Sequence, residues 1–182
     1  PDVMRGEETQ IIGSAALGLS DGIFVMPGTH SKWVHVALGK IQDFATYMTG
    51  EVFASLKDHT ILGTLMEMSD FDLSAFQKGV SAAQDRRAHL LHDLFHVRTL
   101  PLMGKLKETE TADFLSGLLI GTEIVAALKK SEAKRVTIVG RNDLADRYEI
   151  ALQAVGISCQ RAPDDIAAKG HFLIAQAAGL LT

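Results

Sequence analysis

The sequence predicts an α/β chain: three antiparallel strands, a largely helical stretch, and a closing strand–helix–strand–helix unit. Three observations carry that prediction. Apolar runs at residues 23–26, 34–38 and 44–49 are separated only by tight turns, as in a β-meander. Residues 69–130 carry apolar positions at helical spacing with no strand-like run. At Val136-Thr137-Ile138-Val139-Gly140 the pattern changes to a short β-branched run, typical of a buried parallel strand.

Taken in order, residues 7–19 place Ile11, Ile12, Ala15, Ala16 and Leu19 at the spacing of a short amphipathic helix, ended by Gly18 to Gly22. Residues 23–26 form the first strand and lead into Pro27-Gly28-Thr29. Val34, Val36 and Leu38 then alternate along the second strand, and a Gly39-Lys40 turn leads to the third. Val52, Phe53 and Leu56 start a helix. Thr60 is placed to cap another, with Ile61, Leu62, Leu65 and Met66 on one face. Asp72 is expected to cap a helix that turns Leu73, Phe76 and Val80 inward. Leu90, Leu91, Leu94, Phe95 and Val97 predict the next, with Arg86, Arg87, His89, His92 and His96 mostly on its other sides and Pro101 breaking it. Thr109 and Thr111 precede a long helix reaching Lys130, whose basic end suits the helix dipole. After the strand at 136–139, residues 144–155 read as a helix and 157–160 as a strand. A last apolar helix, 166–181, is capped by Asp164 or Asp165. Without the insert at about 69–130, this is the element order of a ribonuclease H-like lobe.

The 182 residues suffice for one substantial core or one lobe of something larger, and 47% hydrophobic residues describe a globular chain. A net charge of −4, from 18 basic and 22 acidic residues, gives no general pull toward nucleic acid or an anionic membrane. No uninterrupted apolar run approaches the roughly 20 residues of a membrane span; the longest candidate, 114–128, contains Ser116, Thr122 and Glu123. The single cysteine, Cys159, rules out an internal disulfide and fits a reducing cytoplasm. A homo-oligomer is compatible with the sequence. Pro1 and the charged opening Asp2 to Glu8 lack the zones of a signal peptide and suggest residues from the middle of a longer chain.

Few residues carry chemistry. Gly28 leaves room for a ligand, Thr29 and Ser31 offer hydroxyls and Lys32 a positive charge; amides of a Gly-Thr turn suit a phosphate, though a plain hairpin turn has the same composition. Asp2, Glu7 and Glu8 flank Arg5 and Gly6, where a carboxylate at a helix start can act as a general base or simply cap the helix. His89, His92 and His96 have spacings that can share a helix face, yet no His-Glu-x-x-His pattern accompanies them, and with Asp93 they read as a solvated charged face; no metal site is expected. Gly140-Arg141-Asn142-Asp143 follows a strand and precedes a helix, where open α/β sheets bind ligands. It lacks a Gly-x-Gly-x-x-Gly fingerprint, and Met103-Gly104-Lys105 is no P-loop. Strands 23–26 and 34–38 have no carboxylates, which argues against a two-metal nuclease.

Four segments resemble the 2-dehydro-3-deoxygalactonokinases, sugar-acid kinases of the actin-like/hexokinase ATPase superfamily. They are Asp2-Val3-Met4-Arg5-Gly6-Glu7-Glu8-Thr9-Gln10, Pro27-Gly28-Thr29-His30-Ser31-Lys32-Trp33, Met48-Thr49-Gly50-Glu51-Val52-Phe53 and residues 140–148. The resemblance implies phosphorylation of the 6-hydroxyl of 2-dehydro-3-deoxy-D-galactonate by ATP with Mg²⁺. It implies phosphate binding at Gly28 and Thr29, with Ser31 and Lys32 beside them, and nucleotide binding at Gly140, Arg141 and Asn142. Asp2 is expected to be the base, while Arg5, Glu7, Glu8 and His30 contact the sugar acid or order the cleft. Residues 1–22 then form an interlobe segment and 23–182 the C-terminal lobe. The family's opening Asp-Trp-Gly-Thr-Thr phosphate turn and its N-terminal lobe are not in this sequence, so the 182 residues alone are expected to have little activity. The alternative is a non-catalytic lobe that binds nucleotide or sugar acid as a sensor or assembly module.

Overall fold

The computed structural model describes residues 1–85, 89–129, 133–140, 142–163 and 165–181, apart from the side chain of Asn142. Arg86, Arg87, Lys130, Arg141 and Asp164, named above, lie outside the described residues. The chain forms two compact units: residues 1–47, 133–149 and 157–182, and residues 48–132 with 150–156.

The first unit is built on one mixed sheet. Strands β1 (Gly22–Met26), β2 (Ser31–Ala37) and β3 (Lys40–Tyr47) form the antiparallel meander. Strands β4 (Arg135–Ile138) and β5 (Ser158–Arg161) continue the sheet beside β1, both parallel to it, giving the order β3-β2-β1-β4-β5. The β2–β3 turn falls on Leu38 and Gly39, one residue earlier than expected; both have positive φ (54° and 68°), as a two-residue hairpin loop requires. The Gly39 N–H donates to the Asp21 carboxylate at 3.0 Å, which ties this turn to the start of β1.

Alternation along the strands builds the core. Phe24, Met26, Val34 and Val36 gather with Ile11, Val139 and Ile166 on one side of the sheet. Helix α1 (Glu7–Ala15) packs there against α7 (Ile166–Ala177), both shorter than the sequence pattern suggests. The packing is close because both helices present glycine: a Cβ on Gly13 would lie 2.0 Å from the Ile166 carbonyl oxygen, and one on Gly170 would lie 1.9 Å from that of Thr9. Asp165 occupies the N-cap of α7 without a side-chain capping bond. Cys159 is half-buried in β5; burial first, and then Glu149, pushes its thiol up, which suits packing rather than nucleophilic chemistry.

The second unit is helical. It holds α2 (Thr49–His59), α3 (Leu73–Asp85), α4 (Leu90–Leu102) and α5 (Thr111–Leu128). Thr60 caps no full helix; only a single 3₁₀ turn, Gly63–Leu65, follows, with the Thr60 hydroxyl accepting from the Leu62 N–H at 3.2 Å. Asp72 does cap α3, its carboxylate accepting from the Ala75 N–H at 2.8 Å. Pro101 sits in the last turn of α4 rather than before it.

The inward side of α4 is Leu90, Leu94, Val97 and Leu100, whereas Leu91 (87% exposed) and Phe95 (55%) face outward. Helix α5 is long and apolar enough to pass for a membrane span, counted from Glu108, yet 61% of that window is buried inside the protein. Its apolarity serves helix packing. Gly79 and Gly117 let α3 and α5 touch backbone to backbone, and Cβ atoms there would lie 2.1 Å and 2.0 Å from the carbonyl oxygens of Phe114 and Phe76.

Residues 142–154 form α6 (Asn142–Ala154). It starts two residues earlier than expected, directly after the β4 loop.

Candidate functional site

Because β1, β4 and β5 run parallel, their carboxyl ends emerge on one side of the sheet. A cavity of about 740 Å³ lies there, lined by Pro27 and Gly28 after β1, Val139 and Gly140 after β4, and Pro163 after β5. Open α/β sheets take ligands at this position, and the volume is in the range of small-molecule sites. The first turn of α1 supplies Glu7 and Gln10, and the β1–β2 turn supplies Thr29, His30 and Lys32.

The turn leaves its backbone open at Gly28. A Cβ added to Gly28 would meet nothing nearer than the His30 carbonyl oxygen, at 4.0 Å. The space beside that backbone is therefore open among the described residues. Thr29 and His30 are exposed at its tip.

Lys32 and Glu7 form the charged wall. Lys32 is only 5% exposed, an unusual position for a lysine. Its Nζ lies 3.2 Å from Glu7 Oε1 and donates to the His30 carbonyl at 3.1 Å, so it joins the turn to the start of α1. Glu7 Oε2 also accepts from the Arg5 N–H at 2.7 Å. Burial alone would raise the Glu7 carboxyl. The N–H groups of Glu7 and Arg5 and the Lys32 ammonium outweigh it and hold the group below its usual 4.5. Glu7 is thus ionised at neutral pH.

The expected site residues divide. Gly28, Thr29, His30, Lys32, Glu7 and Gly140 line the cavity together. Ser31 does not: strand alternation turns it to the opposite face from Lys32, where it is fully buried and its hydroxyl has no hydrogen-bond partner among the described residues. Arg5 and Glu8 are exposed and outside the lining; the Glu8 carboxylate accepts from the Gly6 N–H at 2.8 Å, a capping role before α1.

Asp2 is exposed, outside the lining as well, and its Oδ1 accepts from the Thr46 N–H of β3 at 3.0 Å. Thr46 pairs with Lys32 in the sheet, so Asp2 sits on the far side of that lysine's strand from β1. Arg141 and the Asn142 side chain lie outside the described residues. The sequence reading missed Gln10 and Pro163. Gln10 was legible, three residues after Glu7 on one helix face; Pro163 was legible as lying two positions past the end of a parallel strand.

Comparison with known proteins adds the decisive observation: a family model described as 2-keto-3-deoxy-galactonokinase matches residues 1–174. The chain belongs to the 2-keto-3-deoxy-galactonokinase family. Within that family it is similar to the 2-dehydro-3-deoxygalactonokinase of Escherichia coli, with 40% identity over 168 residues, 91% of this chain and 56% of the relative. A Rhizobium meliloti protein assigned the same name is 39% identical over 174 residues, 93% of this chain and 57% of its own length. The chain therefore spans a little over half the length of the curated family members it matches. A Sinorhizobium meliloti crystal structure assigned as a 2-dehydro-3-deoxygalactonokinase superposes with a TM-score of 0.92 at 37% identity, covering all of this chain and 62% of that one. Component A of (R)-2-hydroxyglutaryl-CoA dehydratase from Acidaminococcus fermentans shares the fold, with a TM-score of 0.61 at 13% identity.

Proposed function

We propose that this chain is the phosphate-gripping part of a kinase that transfers the γ-phosphoryl of ATP to the 6-hydroxyl of 2-dehydro-3-deoxy-D-galactonate. The observation that carries the reading is the cavity itself. It joins an open glycine turn, a buried lysine and an ionised carboxylate beyond the ends of three parallel strands. Membership of the family supports the substrate class, and the strand order β3-β2-β1-β4-β5 supports a ribonuclease H-like lobe of the actin-like kind. In this reading residues 1–22 lead in from a second lobe, residues 23–182 are the C-terminal lobe, and the setting is cytoplasmic.

ATP fits the turn: phosphate oxygens would take the open space at Gly28, near the Thr29 hydroxyl and the Lys32 charge, with the Gly140 loop along the nucleotide. The geometry favours Glu7 over Asp2 as the proton acceptor, because Glu7 lines the cavity and Asp2 is engaged at β3. Ionised Glu7 would accept a hydrogen bond from the sugar-acid hydroxyl and hold it in line. As the hydroxyl oxygen bonds to the γ-phosphorus, the bond from that phosphorus to the bridging oxygen breaks, ADP leaves, and the proton passes to Glu7. His30 and Gln10 are placed to contact the acceptor. Glu7 is the one carboxylate lining the cavity among the described residues and is paired with Lys32. These residues alone do not make a Mg²⁺ site.

Glu7→Gln and Asp2→Asn in the protein that carries this chain separate the two carboxylates. ADP release with the sugar acid is expected to fall about 10²–10⁴-fold for Glu7→Gln, with ATP affinity kept, and only a few-fold for Asp2→Asn. The reverse order would return the role to Asp2. ADP release that ignores the sugar acid would sink the kinase reading in favour of a nucleotide-binding sensor.

A further inference from the structure

A second group of chemistry-bearing side chains lies on α4, in the helical unit. The pattern of residues 89–97 reads as a solvated charged face, but Asp93 is only 2% exposed. Its Oδ1 lies 3.5 Å from His92 Nδ1 and 3.6 Å from His96 Nδ1. The two imidazoles meet edge to face, centroids 4.8 Å apart at 78°, and one ligand atom from each of the three residues falls within 4.8 Å of the others.

Those separations lie within ion-pair reach, and they also suit metal ligation. They are longer than the roughly 2.7–3.2 Å of an N–H···O hydrogen bond. They match the edge of a tetrahedron, about 3.3–3.5 Å, around an ion bound at the roughly 2.0–2.2 Å typical of zinc with nitrogen and oxygen donors. His92 and His96 are also four residues apart, so their rings project from one helix face without strain. Their side chains are 64% and 32% exposed, leaving an ion a route from solvent and His92 freedom to close the remaining edge. A cavity of about 520 Å³ adjoins Asp93 and His96 and is edged by Ser74, Lys78, Ser81 and Asp85, with room for a water in a fourth position.

We infer that His92, Asp93 and His96 form a site for one divalent first-row transition ion of the zinc type, with three protein ligands and one water. Two imidazoles and one carboxylate suit zinc or cobalt(II); calcium and magnesium want all-oxygen shells, and copper(I) wants sulfur. The ion would clamp the first two turns of α4. The site is independent of the nucleotide cavity and of the kinase reading.

The test uses untagged protein stripped with chelator. Cobalt(II) titration is expected to give the visible absorption of a tetrahedral site, saturating at one ion per chain and displaced by zinc. Zinc should also raise the melting temperature. Loss of an outer hydrogen-bond partner costs a metal site about 10–100-fold, so His92→Ala and His96→Ala, which remove ligands, should each weaken binding about 100-fold or more and abolish the thermal shift. Both histidines are partly exposed, so these variants should fold; Asp93→Asn is read only if its circular dichroism matches the parent. His35→Gln, an exposed histidine on β2, should bind as the parent does. No saturable binding, or unchanged affinity in His96→Ala, overturns the inference.

Discussion

Replacing Lys32 with methionine tests whether the Lys32–Glu7 pair is the electrostatic hinge of the cavity. Methionine fills nearly the same space, and the position is 5% exposed, so packing is largely kept while the charge is removed. Two bonds disappear: the 3.2 Å contact to Glu7 and the 3.1 Å donation to the His30 carbonyl. A hydrogen bond to a charged group contributes roughly 1.5–3 kcal/mol. Glu7 keeps water on part of its surface, at 27% side-chain exposure, and methionine avoids the cost of burying an ammonium, so the sum is reduced. A net loss of about 1–3 kcal/mol at pH 7 follows. The pH dependence identifies the source. Glu7 has its folded-state carboxyl held below the usual 4.5, so its contribution is fully present above that value and is lost as pH falls through the lower, folded-state one. Without Lys32 the group moves back up. The stability difference between parent and variant should therefore be largest near neutrality and shrink with acidification below 4.5. Urea unfolding from pH 7 downward measures it. A difference that stays constant across that window would mean the loss comes from the turn carbonyl or from packing, and the paired-carboxylate reasoning would be refuted.

Other outcomes follow from the same geometry. Gly28→Val projects into open space, so it should leave the melting temperature within a few degrees of the parent while lowering ATP affinity at least about tenfold, measured by calorimetry. Ser31→Ala removes a buried hydroxyl without a partner and should be neutral to slightly stabilising, with nucleotide affinity unchanged; a clear loss of affinity would put Ser31 back in the phosphate site. Gly170→Ala forces a Cβ to within 1.9 Å of the Thr9 carbonyl oxygen, so α1 must move; about 1–3 kcal/mol or more of destabilisation is expected in denaturant unfolding, with a raised KM in the assay because Glu7 and Gln10 move too. Asp72→Ala should cost about 1 kcal/mol through the lost cap on α3 and leave the cavity's ligand affinity alone.

The β-meander, the helical stretch and the strand–helix–strand tail are legible in the sequence because period-2 and period-3.6 apolar patterns follow directly from backbone geometry. The same locality makes Gly28 and Gly140 readable as a turn and a post-strand loop. Even the separation of Ser31 from Lys32 was present in the strand's alternation, since adjacent residues must point to opposite faces. Three things depended on the tertiary structure. Asp2 and Glu7 are both carboxylates, five residues apart, and only the entry of α1 at Gly6 (φ 102°), with its docking through Gly13 and Gly170, turns Glu7 toward the turn and leaves Asp2 on β3. Asp93 lies in a pattern that reads as solvated, yet the packing of α4 buries it, with two imidazoles nearby. Which strand ends share a cavity is set by β4 and β5 pairing parallel to β1 across more than 100 residues of chain, and short-range periodicity carries no record of long-range pairing.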